Sequence, residues 1–230
     1  MKSPTSSTEV TLELSKSNGV GWLVFDRPDS GNAINATMFA ELEKAWRQFE
    51  DDDEVAVIIN TGNGSSFQTG LDMVQLARDK GALRASSRQT RDFDLRMTGW
   101  HCGVTKPVIA AVNGTCAGGG LHFVADADLV VASSDATFLD PHVSVGQVSA
   151  FETIGLLKKA PMGAISRLAM LGRHERLDAE RARQLGIVGE VVSPSRLRPR
   201  AQEIAESIAA LDRVALSAMK AALWGSLELP

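Results

Sequence analysis

The sequence predicts an α/β fold in which strands and helices alternate as repeating β-β-α-like units, with the helices packed outside the sheet layers. Three observations carry this. Asn18-Gly19 separates two alternating apolar runs. Strand-length apolar runs recur at 55–62, 106–114 and 128–138, between stretches of helical periodicity. A run of three glycines, Gly118 to Gly120, opens a short apolar helix.

In chain order, residues 1–8 are polar and expected to fray. The next run, VTLELSKSNGVGWLVFDRP, reads as a hairpin, because Asn and Gly both tolerate the positive φ of a tight turn. Asn35 can cap a helix whose apolar face is Met38, Phe39, Leu42, Ala45, Trp46 and Phe49. Asp51 to Glu54 end that helix in solvent, and Val55 to Gly62 form a buried strand. A glycine-rich loop then leads into a helix. Residues 82–105 are expected as helix, with Phe93, Met97 and Trp100 on one side. Lys106 to Gly114 is the next strand, followed by the glycine run and its helix. DLVVASSDATF gives one strand and a short second one. Pro161 starts a helix ending near Gly172, and Asp178 caps another that ends at Gly186. Gly186 to Pro194 is a short strand, and Pro194 to Gly225 a helical tail.

Composition limits the function. With 24 Lys and Arg against 28 Asp and Glu, no basic excess suggests nucleic-acid binding. No apolar run reaches the ~18 residues of a membrane helix, so no membrane partner is expected. The two cysteines, Cys102 and Cys116, lack metal-type spacing, and no metal is expected. A reduced, cytoplasmic protein is the simple expectation.

The glycines carry the chemistry. Backbone N–H groups at a helix entrance lack intrahelical partners, and glycine admits a ligand close to them. Two such entrances, at Gly118–Gly120 and in FQTGLDM (Phe67 to Met73), can supply two donors to one oxyanion. Taken alone, glycines before helices ordinarily serve only tight packing.

The segments GNAINATMFAEL, FQTGLDM, KPVIAAVNGTCAGGGLHFVADADLVVASSDATF and RLDAERARQLGIVGEVV, in this order along the chain, resemble the enoyl-CoA hydratase/isomerase (crotonase) superfamily over about residues 9–224. The resemblance implies a spiral of β-β-α units with a C-terminal helical region: residues 1–193 as the core and 194–230 as a trimerisation or lid region. Family members continue with further helical sequence, so that region is expected to be shortened. It also implies a homotrimer or hexamer and an acyl-CoA substrate, with no cofactor beyond the coenzyme A of that substrate. The Leu71 and Gly119 N–H groups are expected to form the oxyanion hole, and Arg27, Ala33, Gly70 and Asp72 to contact coenzyme A.

The pattern departs from the family at its acid/base positions. Family hydratases carry one glutamate two residues after the glycine run and another after a proline in a following turn. His122 and His142 stand at those positions. A lone histidine on an apolar segment is ordinarily a packed core residue. Two at two acid/base positions point instead to imidazole acid/base catalysis. Asp140 either orients His142 or is a solvated turn residue. The family's small-residue PGAGGT loop reads SAFETI here, so Phe151 is expected to reshape the acyl pocket. Glu152 is either a replacement acid or a solvent-facing glutamate at a helix start. His101 and His174 read as structural or solvated.

Three functions compete. The favoured one is an acyl-CoA hydratase or isomerase that stabilises a thioester enolate. The second is a retro-Claisen hydrolase cleaving a C–C bond of β-dicarbonyl compounds, to which the DPHVSVG turn is similar. The third is a non-catalytic coenzyme A-binding protein.

Overall fold

The computed structural model describes residues 10–78, 96–149 and 151–228. The hairpin forms from β1 (Leu12–Ser17) and β2 (Val20–Phe25), with Ser17 opposite Val20. Asn18 and Gly19 both take positive φ, 52° and 79°, which matches the twist of the paired strands. Asn35 accepts the Met38 N–H through its side chain and starts α1 (Ala36–Asp51). Met38, Leu42, Trp46 and Phe49 of that helix are buried in the main core.

Three β-β units then follow one another. β3 (Val57–Gly62) precedes β4 (Ser66–Gln68) and α2 (Met73–Arg78). β5 (Val108–Val112) precedes β6 (Thr115–Ala117), a 3-10 turn over Gly118–Gly120, and α3 (Leu121–Ala125). β7 (Leu129–Ser133) precedes β8 (Thr137–Leu139), a 3-10 turn over His142–Val145, and α4 (Phe151–Leu156). The first strand of each unit enters one sheet and the second strand enters another. After α5 (Met162–Leu171) come β9 (Leu177–Asp178), α6 (Ala179–Gln184) and β10 (Glu190–Val192). The large sheet has the order β1-β2-β3-β5-β7-β10, parallel except for the hairpin. The small sheet has the order β4-β6-β8-β9, parallel except for its last pair. This is the spiral of β-β-α units, in two mixed sheets.

The main core fills the space inside the spiral. A second apolar layer lies on the other side of the large sheet, where Leu197, Ala201 and Ala205 of α7 (Leu197–Ala209) pack on Val57, Ile59, Ile109 and Val131. The helical tail is two helices: Asp212 caps α8 (Arg213–Gly225) by accepting the Ala215 N–H. Among the described residues no helix is long and apolar enough to cross a membrane.

The helix expected over 82–105 is corrected where it can be seen. Residues 96–105 form turns instead, and 82–95, with Phe93, lie outside the described residues. The cause is local. Gly103 takes φ 71°, and Trp46 Nε1 donates to the Met97 carbonyl, so the chain folds around the Trp46 ring. Gly99 packs there too: a Cβ on it would lie 3.4 Å from that ring. Met97 is buried, and Trp100 stacks on Trp224 of α8 at 4.5 Å.

Candidate active site

The backbone half of the site arises from sheet register. β4 and β6 are parallel, with Ser66 opposite Thr115 and Gln68 opposite Cys116, so their C-terminal ends arrive side by side. Gly70–Leu71 therefore meets Gly118–Gly120. The approach is too close for side chains: a Cβ on Gly70 would lie 2.8 Å from the Gly119 nitrogen, and one on Gly120 would lie 2.1 Å from the Gln68 carbonyl oxygen. Gln68 Oε1 accepts the Gly70 N–H and holds the turn. Ile34 bridges to Leu71 using the Gly70 carbonyl and the Asp72 N–H, which leaves the Leu71 N–H out of that pairing. Gly119 is the second residue of its 3-10 turn, so its N–H has no acceptor within the turn. A Cβ on Gly119 would lie 3.8 Å from the Leu71 nitrogen, which places the two amides across one gap.

The side-chain half comes from α3, the turn after β8, and α4. His122, in the first turn of α3, has a side chain only 5% exposed. Asp140 is fully buried, and its Oδ1 accepts two bonds from His142, from the backbone N–H at 3.1 Å and from Nδ1 at 2.6 Å. A carboxylate only accepts, so Nδ1 carries the proton and Nε2 faces outward from that pair. The His142 ring lies against Gly118, its Cε1 3.5 Å from where a Cβ would stand. Glu152 Oε1 lies 3.4 Å from His122 Nε2 and 3.7 Å from His142 Nε2. Glu152 is therefore not the solvent-facing residue that a helix-start glutamate suggests; its side chain is 12% exposed.

The electrostatics follow from this geometry. Burial alone would raise the Glu152 carboxyl. The hydrogen bond and charge of His122, a backbone N–H and the His142 charge outweigh burial and bring it down to about 2. The Asp140 hydrogen bond raises His142 above its ordinary value against burial, with help from the Glu152 charge. Desolvation pushes His101 below its ordinary value.

His101 is the residue that sequence reasoning missed. Its ring stands edge-on to that of His122 at 5.4 Å. Thr98 Oγ1 links it to Asp126, 2.9 Å from His101 Nδ1 and 2.7 Å from Asp126 Oδ2. No sequence signal joins His101 to His122, because the turn at 96–105 that brings them together reads as helix. His101, His122 and Asp126 form the one group among the described residues with metal-ligand character, their candidate ligand atoms all within 4.8 Å of one another. His174 is exposed and remote from these residues in sequence.

On the other flank, Arg27, Ala33, Leu71 and Asp72 line a groove of about 770 Å³, together with Asn35 and Arg78. Arg27 Nη1 donates to the Ala33 carbonyl and to Asp72 Oδ2. Burial opposes the Asp72 charge. The Gln75 N–H, Arg27 and the Val74 N–H outweigh it and hold that carboxyl below its usual range.

The comparisons with known proteins agree with this architecture. The family model described as enoyl-CoA hydratase/isomerase matches residues 15–230. The chain is 32% identical to (E)-benzylidenesuccinyl-CoA hydratase of Thauera aromatica over 222 residues, 96% of this chain and 84% of that protein. It is 32% identical to carnitinyl-CoA dehydratase of Salmonella enteritidis PT4 over 228 residues, 96% of this chain and 82% of that protein. The crystal structure of an enoyl-CoA hydratase/isomerase from Mycobacterium paratuberculosis superposes with a TM-score of 0.85 at 33% identity, covering 96% of this chain and 84% of that one. With the spiral fold, the paired glycine turns and nearly the whole length in agreement, this chain belongs to the enoyl-CoA hydratase/isomerase (crotonase) family.

Proposed function

We propose that this crotonase-family acyl-CoA hydratase/isomerase-type enzyme runs its proton transfers on a His122–Glu152–His142 cluster in place of two glutamates. One observation carries the reading: a single ionised carboxylate oxygen stands within 3.4 Å and 3.7 Å of the Nε2 atoms of both imidazoles. Each imidazolium formed during turnover is then stabilised by the Glu152 charge, so a proton taken up by one ring does not leave an uncompensated buried cation. His142 is the base: Asp140 holds its Nδ1 proton, so Nε2 offers the lone pair. His122 is the acid.

The Leu71 and Gly119 N–H groups receive the thioester oxygen and stabilise it as an enolate oxyanion. Arg27, Ala33 and Asp72 contact coenzyme A along the groove, and Gly70, which does not line it, contacts coenzyme A beside the oxyanion amides. Two relatives named as a CoA-thioester hydratase and a CoA-thioester dehydratase support an acyl-CoA substrate for this chain as well. Exposed apolar residues on the C-terminal helices, among them Val214, Met219 and Leu223, suit a homotrimer or hexamer, which light scattering tests. Cys102 and Cys116 are free thiols, in keeping with a cytoplasmic enzyme. Calorimetry with acetoacetyl-CoA and with free coenzyme A tests the substrate class: saturable heat with either supports it, and no heat with both counts against it.

The same carboxylate favours one second reading. A carboxylate beside His142 suits activation of water, so hydrolytic C–C cleavage of a β-dicarbonyl compound is the alternative. Release of a carboxylic acid from a β-diketone in the absence of coenzyme A selects it.

A further inference from the structure

We infer that His101, His122 and Asp126 form a binding site for a zinc-class divalent ion, separate from the coenzyme A groove. The three residues offer two imidazoles and one carboxylate, the donor set that suits Zn²⁺, Co²⁺ or Ni²⁺ rather than Ca²⁺ or Mg²⁺. Their candidate ligand atoms all lie within 4.8 Å of one another, and His101 Nε2 is already 3.8 Å from Asp126 Oδ2. Around a tetrahedral zinc ion, with bonds of about 2.0–2.1 Å, ligand atoms stand roughly 3.4 Å apart. Closure on an ion therefore asks for about 1 Å of side-chain movement.

The hydroxyl of Thr98 supplies the outer hydrogen bond such a site needs. It has one proton, which it donates to the Asp126 carboxylate at 2.7 Å. It therefore accepts from His101, through Nδ1–H at 2.9 Å and the backbone N–H at 3.3 Å. This fixes the His101 tautomer: Nδ1 is protonated and Nε2 keeps its lone pair, on the side of Asp126. A ligating histidine is ordinarily held this way, with its second ring nitrogen donating to a polar partner. The His101 side chain is 20% exposed, against 5% for His122 and 9% for Asp126, so the ion has an edge to enter by.

The ion would take a lone pair of His122. On the reading above, in which His122 moves a proton, it therefore inhibits turnover, and a chelator restores it. Binding itself does not rest on that reading, so it is tested without substrate. The experiment is titration of the metal-free protein with Co²⁺, followed by visible absorption and by competition with Zn²⁺. Tetrahedral d–d bands should grow to one equivalent and be bleached by Zn²⁺. His101→Ala and Asp126→Asn should each weaken Co²⁺ at least ~100-fold, and Thr98→Val about 10–100-fold, the usual effect of an outer-shell partner. His174→Ala, at an exposed site, should leave it unchanged. X-ray absorption of the wild-type cobalt complex should count two imidazoles, a readout that needs no variant to fold. Absence of the bands, fewer than two imidazoles, or unchanged affinity in both His101→Ala and Asp126→Asn would overturn the site.

Discussion

The two halves of the active site are built from different materials. One half is backbone: Gly70–Leu71 and Gly118–Gly120, pressed together by the parallel register of β4 and β6. The other is side chains: His122, His142 and Glu152, brought in by three separate elements. The backbone half keeps the family's sequence pattern, because a Cβ at Gly70 or Gly120 would collide with main-chain atoms that cannot swing away. On the proposed reading the side-chain half departs from it, since a proton-transfer cluster asks only that the charges and donors inside it balance. One carboxylate between two imidazoles meets that condition with different residues. In this chain sterics fix the backbone turns, and on the proposed reading the proton chemistry is carried by replacement residues.

Substitutions can break that contrast, and the largest effect falls on the backbone half. Gly120→Ala places a methyl 2.1 Å from the Gln68 carbonyl oxygen, so β4 and the helix entrance must separate. We expect a loss of more than ~4 kcal/mol in urea unfolding, the range of severe core damage. Gly119→Val is different in kind. Its Cβ would meet Gly70 Cα at 3.3 Å, which asks the two turns to part by only a few tenths of an ångström, while the side chain fills the gap between the two amides. Turnover should fall by about 10²–10³, the cost of losing one oxyanion donor, with the fold retained by circular dichroism.

The side-chain half should respond more moderately and without unfolding. His122→Ala and His142→Ala should each slow kcat at least ~100-fold. The double variant should be little slower than either single one, because the cluster acts as a unit.

The smallest effect is expected at Asp140, which acts through His142. Asp140→Asn removes the carboxylate charge and weakens the bond that raises His142, so the acid limb of the kcat/KM profile should move to lower pH, with a rate loss of about 10-fold. The stability effect has a defined sign. A histidine raised above its unfolded value stabilises the fold fully at pH below about 6.5 and loses that contribution as pH rises through its folded pKa. The gap in thermal midpoint between wild type and Asp140→Asn should therefore narrow as the pH rises from about 6.5 through the raised folded value.

The individual turns were legible in the sequence because their requirements are local, whereas the pairing of the two glycine turns into one site came from the family resemblance. Three consecutive glycines, an Asn-Gly turn and an Asn35 cap each announce a conformation within a few residues. The alternation of strands and helices in β-β-α-like units was legible through the recurrence of apolar runs, and the spiral through the family resemblance. The three-residue strands β4 and β6 were not, because three residues carry too little alternation to separate from a loop. Residues 96–105 misled, because Met97 and Trp100 sit at helical spacing although Gly99, Gly103 and the Trp46 bond to Met97 make turns. The burial of Glu152 and the approach of His101 to His122 depend on packing between segments far apart in the chain, which no local pattern encodes.

The central claim is that the histidine–glutamate cluster moves protons on a bound thioester. Deuterium exchange at the α-carbon of an acyl-CoA, followed by NMR in D₂O, tests it most directly, because it reads proton transfer without requiring the full reaction. Wild type should exchange the α-proton, His142→Ala and His122→Ala should slow exchange at least ~100-fold, and Glu152→Gln should slow it while leaving coenzyme A binding intact. No exchange by wild-type protein that binds the ester, or exchange at the wild-type rate in all three variants, would contradict the account.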